Sequence, residues 1–218
     1  MNRLLILGSG TFALETLDIA ELAGELEPVG FVNSLERPPR GAQHGGLPLY
    51  WADALPFGPG ECLLVAGIVS PLRHAFVAQM EARGYRFVTV RHPAATISPR
   101  AVLAAGCVVN AGVVVSSFSV IGPHTILNRG CLIGHHNRIG ACCTVGPGAN
   151  LAGGVELGAG VFVGVGAVVS DHLCIGAGAT VAAGAVVTKP VAAGSFVVGA
   201  PARALRSGAL LEAQHDER

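Results

Sequence analysis

The stretch IGHHNRIGACCTVGPGANLAGGVEL, residues 133–157, places an aliphatic side chain at every sixth position: Ile133, Ile139, Val145, Leu151 and Leu157. The register runs outward unbroken in both directions, from Ile97 to Val187, with no insertion. A second track lies four residues after each of these. It is small or β-branched nearly throughout, as at Ala101, Cys107, Val113 and Ser119, and only Asn137 and Leu173 depart from it. A period of six fits neither a helix nor a simple half-buried strand. It fits a coil of short strands in which each six residues form one flat face and one corner, and each turn stacks an aliphatic side chain on the one below. Three such segments close a three-sided prism, so every third hexad returns to the same face. The expected fold of residues 95–218 is a left-handed parallel β-helix built from hexapeptide repeats.

Composition agrees with that geometry. Glycine is abundant, with 31 residues, and aromatics make up 5% of the chain, as tight corners and slim inward side chains require. The formal net charge is zero and no basic run stands out, so nucleic acid is not an expected partner. The apolar stretch Leu4–Leu7 is too short for a membrane span or a signal peptide. A cytoplasmic protein with no membrane partner is expected. Of the six cysteines, Cys107, Cys131 and Cys143 fall on the inward track and read as small hydrophobes, while Cys142 is placed to face outward.

Before residue 95 the pattern changes. Leu4–Gly8 reads as a buried strand, Thr11–Ala23 as a helix, Pro28–Val32 and Leu63–Ala66 as strands, Pro71–Arg83 as a helix and Phe87–Val90 as a fourth strand. Strands alternating with helices imply a small α/β, Rossmann-like domain over residues 1–94 with a parallel sheet. Glu36–Gly46 reads as a surface loop, and a short helix is expected from about Ala202.

Gly8-Ser9-Gly10-Thr11-Phe12-Ala13 follows the first strand and opens the first helix with the spacing G-x-G-x-x-A. Glycine permits the turn, and the free N–H groups at the helix start favour an anion such as a diphosphate. A dinucleotide site usually adds an acid at the end of the second strand, where this chain has Asn33 and Ser34. A nucleotide or nucleotide-sugar diphosphate is therefore favoured over a redox cofactor, the plain alternative being a turn with no ligand. Gly8, Gly10, Thr11, Phe12, Asn33, Ser34 and Gly67 are the expected substrate-binding residues.

Face arithmetic separates the histidines. His135 and His136 share a face with His172 but lie two coils below it, about 10 Å away at ordinary strand spacing. His124 lies elsewhere, so no three histidines converge within one chain and no metal is expected. His135, third in its hexad, is expected to point outward from a flat face. Imidazole as a side chain suits a general base.

These motifs together resemble the bacterial sugar acyltransferases of the sialic-acid O-acetyltransferase type, a group that includes nucleotide-amino-sugar N-acetyltransferases. The resemblance covers nearly the whole chain: Gly8–Ala13, Arg73, His92-Pro93-Ala94-Ala95, Ile126-Leu127-Asn128, Ile133-Gly134-His135, Leu151–Val155 and Gly199-Ala200-Pro201-Ala202-Arg203. It implies a homotrimer with acetyl-coenzyme A between two prisms and a sugar nucleotide on the N-terminal domain. It also implies His135 as the base for direct acyl transfer, with His136 beside it in the catalytic pair. Gly153 matches a tight-packing glycine beside the coenzyme arm. Thr144, Val165 and Ala183 match coenzyme-contacting positions, and Gly199 and Pro201 match the segment near the adenosine end.

The chain departs from the family in four places. His136 stands where an acidic residue usually follows the base, and an imidazole supplies no negative charge to raise the basicity of His135. Asn33 and Ser34 replace acidic residues. Thr11-Phe12 replaces Gly-His, and the bulky Phe12 is expected to narrow the sugar pocket. Thr144 replaces a coenzyme-contacting histidine. N-acetylation of a nucleotide-linked amino sugar is the leading expectation. O-acetylation of sialic acid or another polysaccharide sugar is the alternative, and a binding-only scaffold is the non-enzymatic one.

Overall fold

In the computed structural model, which describes residues 2–205, an N-terminal sheet system and a coiled one meet across a cluster of buried side chains. The N-terminal unit runs β1 (Asn2–Leu7), α1 (Thr11–Ala23), β2 (Leu26–Asn33), β3 (Gln43–His44), β4 (Leu47–Trp51), β5 (Leu63–Ala66), α2 (His74–Ala82) and β6 (Arg86–Phe87). The strand order is β3-β4-β2-β1-β5-β6, parallel throughout except for the β3-β4 hairpin. β1 is buried on both faces from Leu4 to Leu7, which explains its continuous apolar run. α1 packs on one side of the sheet, and Phe76 and Met80 of α2 join the cluster on the other.

Three readings from the sequence change here. The fourth strand splits: Arg86–Phe87 stays at the edge of this sheet, while β7 (Val90–Arg91) pairs with Val108–Val109 of the repeat. The segment read as a loop up to Gly46 ends in a hairpin, because Gln43 and His44 pair with Pro48 and Leu47. The expected C-terminal helix does not begin at Ala202. Arg203–Ala204 is a short strand antiparallel to Phe196–Val198, and the rest of that helix lies outside the described residues.

From Val90 to Val187 the strands pair in parallel at a spacing of eighteen residues, as Ile133 does with Leu151, until Thr180–Val181 pairs with Phe196–Val197 instead. A first face carries Val90, Val108, Ile126, Thr144, Phe162 and Thr180. A second carries Thr96, Val114, Leu132, Asn150, Val168 and Val186, and a third carries Val102, Val120, Arg138, Glu156 and Cys174. The ladder side chains from Val109 to Val187 are buried inside the prism, joined by the inward Cys107, Cys131 and Cys143. The lower first face is not solvated. Val90, Val108 and Ile126 pack with Phe12, Ala13 and Leu17 of α1, so that helix lies between the sheet and the prism. Its buried residues Phe12, Ala13, Thr16, Leu17, Ile19 and Ala20 form the packed stripe, while Asp18 and Glu21 stay exposed.

Arg73 fastens the two halves. It is 2% exposed, and its guanidinium donates to the carbonyls of His124, Cys143, Val69 and Ser70 and to Thr144 Oγ1. Burial pulls its pKa down to about 10, so it stays cationic at neutral pH. With carbonyl oxygens in place of a carboxylate, it satisfies chain ends from both halves at once.

Candidate active site

The residues singled out in the sequence fall into three groups, and the fold decides which of them meet. The first lies at the carboxyl ends of β2, β1 and β5. Gly8 N–H donates to the Val32 carbonyl and Gly67 N–H to the Leu7 carbonyl, aligning Gly8, Asn33 and Gly67 across three neighbouring strands. The chain moves from β1 to β2 on one side and later returns to β5 on the other, so a crevice opens beside β1, where ligands of open α/β sheets bind. Gly8 has φ +106°, and a Cβ there would come 2.7 Å from Ile68 Cγ1. A Cβ on Gly67 would meet Ala13 at 2.8 Å, so this glycine lets α1 approach the sheet. Gly10 and Thr11 are exposed at the helix start, where Gly10 has no side chain to cap the first N–H groups.

Two neighbours of this loop are held by the protein itself. Phe12, expected to narrow a sugar pocket, is 8% exposed and belongs to the core between sheet and prism. Asn33 Oδ1 accepts from Leu35 N–H, closing a local turn, and Ser34 is half-buried beside it. One contact was not legible in the sequence. His44, on the β3-β4 hairpin, lies 3.3 Å from the Gly10 carbonyl through Nε2 and stacks edge-on against Phe31. Only the hairpin brings residue 44 to residue 10.

The second group occupies the edge between the second and third faces. His135 and His136 form the turn there, so His135 sits on a corner rather than the expected flat face. Both are exposed, and their Nδ1 atoms are 3.0 Å apart with the rings at 85°. His135 packs over Gly153 of the next coil, where a Cβ would come within 2.5 Å of His135 Cε1. His172 lies over Gly154 on the same edge. Outward exposure leaves His135 Nε2 open to a reactant.

The third group runs along the edge between the first and second faces. Gly184 N–H donates to the Val165 carbonyl, so Val165 and Ala183 stack on successive coils, and both are exposed. Gly199 and Pro201 lie at the end of this edge, where the Gly199 carbonyl accepts from Val186 N–H. Thr144 is not part of it. Its side chain is 0% exposed, accepting from Arg73 and donating to the Val69 carbonyl at 2.7 Å, which leaves it no surface for a coenzyme. The whole second face separates this edge from His135.

The cysteines are thiols rather than nucleophiles. Burial raises the pKa of Cys143 to about 11 and pushes that of Cys142 up; Cys143 points into the prism, and the third face separates Cys142 from His135. Cys142, expected to face outward, is 8% exposed. Among the described residues no group of three or more His, Cys, Asp or Glu could hold a metal ion, and no helix is long and apolar enough to cross a membrane. Two depressions, about 710 Å³ on the third face and about 650 Å³ beside Leu72 and Phe162, do not include His135.

No family model matches the chain, and no curated protein sequence matches it. Solved structures do. A histidine-to-asparagine mutant of perosamine N-acetyltransferase from Caulobacter crescentus, in complex with CoA and GDP-perosamine, superposes with a TM-score of 0.86 at 30% identity, over 95% of this chain and 98% of that one. The acetyltransferase domain of PglB from Neisseria gonorrhoeae, in complex with acetyl coenzyme A, matches at 0.85 and 27% identity over 94% and 100%. WeeI from Acinetobacter baumannii matches at 0.85 and 26% identity over 94% and 100%.

Proposed function

Because this chain belongs to the left-handed β-helix sugar acyltransferases, we propose that it N-acetylates an amino group of a nucleotide-linked sugar, with acetyl-coenzyme A as donor. One observation carries the reading: the chain superposes over 95% of its length on an N-acetyltransferase whose structure holds CoA and GDP-perosamine. The Rossmann-like N-terminal unit, residues 1–94, holds the nucleotide diphosphate against Gly8, Gly10 and Thr11, with Gly67, Asn33 and Ser34 framing the crevice. The β-helix supplies the acyl site. Since the second face separates His135 from Val165 and Ala183, a coenzyme touching both edges lies between two copies of the chain, as in a homotrimer. It works in the cytoplasm, where acetyl-coenzyme A is available.

The reaction is a direct transfer. The sugar amine attacks the thioester carbonyl while His135 Nε2 takes its proton. A backbone N–H of the coil supports the oxyanion. Collapse breaks the carbon–sulfur bond, and the departing thiolate recovers the proton from the imidazolium. The raised thiol pKa values of Cys142 and Cys143 speak against an acyl-enzyme.

A thiol-release assay with acetyl-coenzyme A and a panel of nucleotide-linked amino sugars tests the reading. Turnover is expected, with His135→Ala slower by about 10²-fold or more, as loss of a general base gives. Turnover with free sialic acid and with no nucleotide amino sugar would move the assignment to O-acetylation. An absence of coenzyme binding would remove the enzymatic reading.

A further inference from the structure

We propose that His136 is a positioning residue: as a neutral imidazole it accepts the Nδ1 proton of His135 and holds His135 in the tautomer whose Nε2 is free to take a proton. The inference rests on the reading of His135 as the base. A 3.0 Å contact between two Nδ1 atoms accommodates one hydrogen, so one ring donates and the other accepts. When His135 donates, its Nε2 carries the lone pair and His136 keeps its own proton on Nε2. The reverse arrangement places the hydrogen on His135 Nε2 and silences the base. Two imidazolium rings could not share this contact, because both Nδ1 atoms would carry hydrogens. After the amine proton reaches His135 Nε2, the positive charge is stabilised through the same Nδ1–H···Nδ1 bond, and it leaves with the proton that goes to the thiolate.

The surroundings hold His136 in place. Its backbone has φ +57°, and one coil on Gly154 fills the same turn at φ +68°, so glycine fits this corner without strain. Phe118, one coil below, packs against the His136 ring with centroids 5.0 Å apart and a 32° tilt. The next side chains on this edge are Asp171 and His172, two coils on, with His172 over Gly154. No carboxylate among the described residues hydrogen-bonds to either ring of the pair. The chain thus places an uncharged acceptor at the back of its base. It fixes the tautomer but supplies less support to the imidazolium than a carboxylate would.

His136→Gly suits the turn and removes only the acceptor, so its Tm should be unchanged or higher. Its kcat should fall by about tenfold or more while both KM values stay within about twofold, because orientation of the base matters in the transition state. His136→Glu should restore kcat to at least the wild-type value. Nitrogen-15 NMR of the full chain should show wild-type His135 as the Nδ1–H tautomer and a mixture in His136→Gly. Wild-type kcat in His136→Gly, or a wild-type His135 protonated at Nε2, would overturn the proposal. Wild-type activity in His135→Ala would instead overturn the base assignment, while the tautomer spectrum still reads the His136 contact by itself.

Discussion

At the scale of single residues, the chemistry depends on what a neighbour one coil away lacks. Gly153 has no side chain, and the His135 ring occupies the space a Cβ would take, at 2.5 Å. Gly153→Ala should therefore swing the ring off its position. We expect kcat to drop by about tenfold or more with little change in Tm, since only the far end of an exposed side chain has to move; an unaltered kcat would show that the ring's seat is immaterial. Thr144 shows the opposite situation. Its hexad position matched a coenzyme contact, yet its hydroxyl is spent on Arg73 and Val69. The repeat fixes which way a residue points, but whether solvent or another segment meets it depends on where the N-terminal unit docks.

At the scale of elements, the strand-to-helix turn was legible because glycine spacing, the end of an apolar run and the start of helical periodicity coincide at residues 8–11. Gly8→Ala tests how tightly that turn is built. The φ of +106° and the 2.7 Å approach to Ile68 both oppose a Cβ, so the loop must shift. Steady-state assays should give a raised KM for the sugar nucleotide with KM for acetyl-coenzyme A unaltered. Equal effects on both would contradict the separation of acceptor and donor sites. The β3-β4 hairpin was less legible. Gln43-His44 and Leu47-Pro48 are short, and Pro48 sits on a strand that reads poorly from propensity alone. Its pairing to β2 gives it order that its own sequence does not. His44 consequently reaches Gly10 without any local signal.

At the scale of the molecule, two predictions follow from how the halves and the copies meet. His124 lies at the seam between them, 7% exposed, with Nε2 3.2 Å from Glu81 of α2 and its ring edge-on to Phe87. Burial lowers its pKa, opposed by Glu81 and assisted by the Arg73 charge. The unfolded chain thus takes up a proton that the folded chain resists. The stability tied to His124 is complete above about pH 6.5 and is lost as pH falls through the folded value. His124→Asn, which tolerates the φ of +57° there, should shrink the difference in Tm between pH 7.5 and 5.5. An undiminished difference would place the acid sensitivity elsewhere. The other prediction concerns assembly. If the donor groove lies between copies, His135→Ala and a bulky Ala183→Trp variant, each inactive by itself, should regain activity when refolded together, because mixed trimers contain one groove with both native edges. No recovery in mixed assemblies of confirmed composition would place both edges' functions within one chain.

The sequence by itself determined the prism and its register, because a strict period of six leaves each hexad only one height and one face, whereas the structure moved His135 from a flat face to an edge. It also determined the glycine turn, since backbone sterics at that position admit little else. The tertiary structure decided what lies against those positions. It buried Phe12 and Thr144 between the halves, brought His44 to the glycine loop and set the His136 ring 3.0 Å behind its neighbour. Periodicity is a property of the chain, whereas contact distance depends on how two separately patterned surfaces pack.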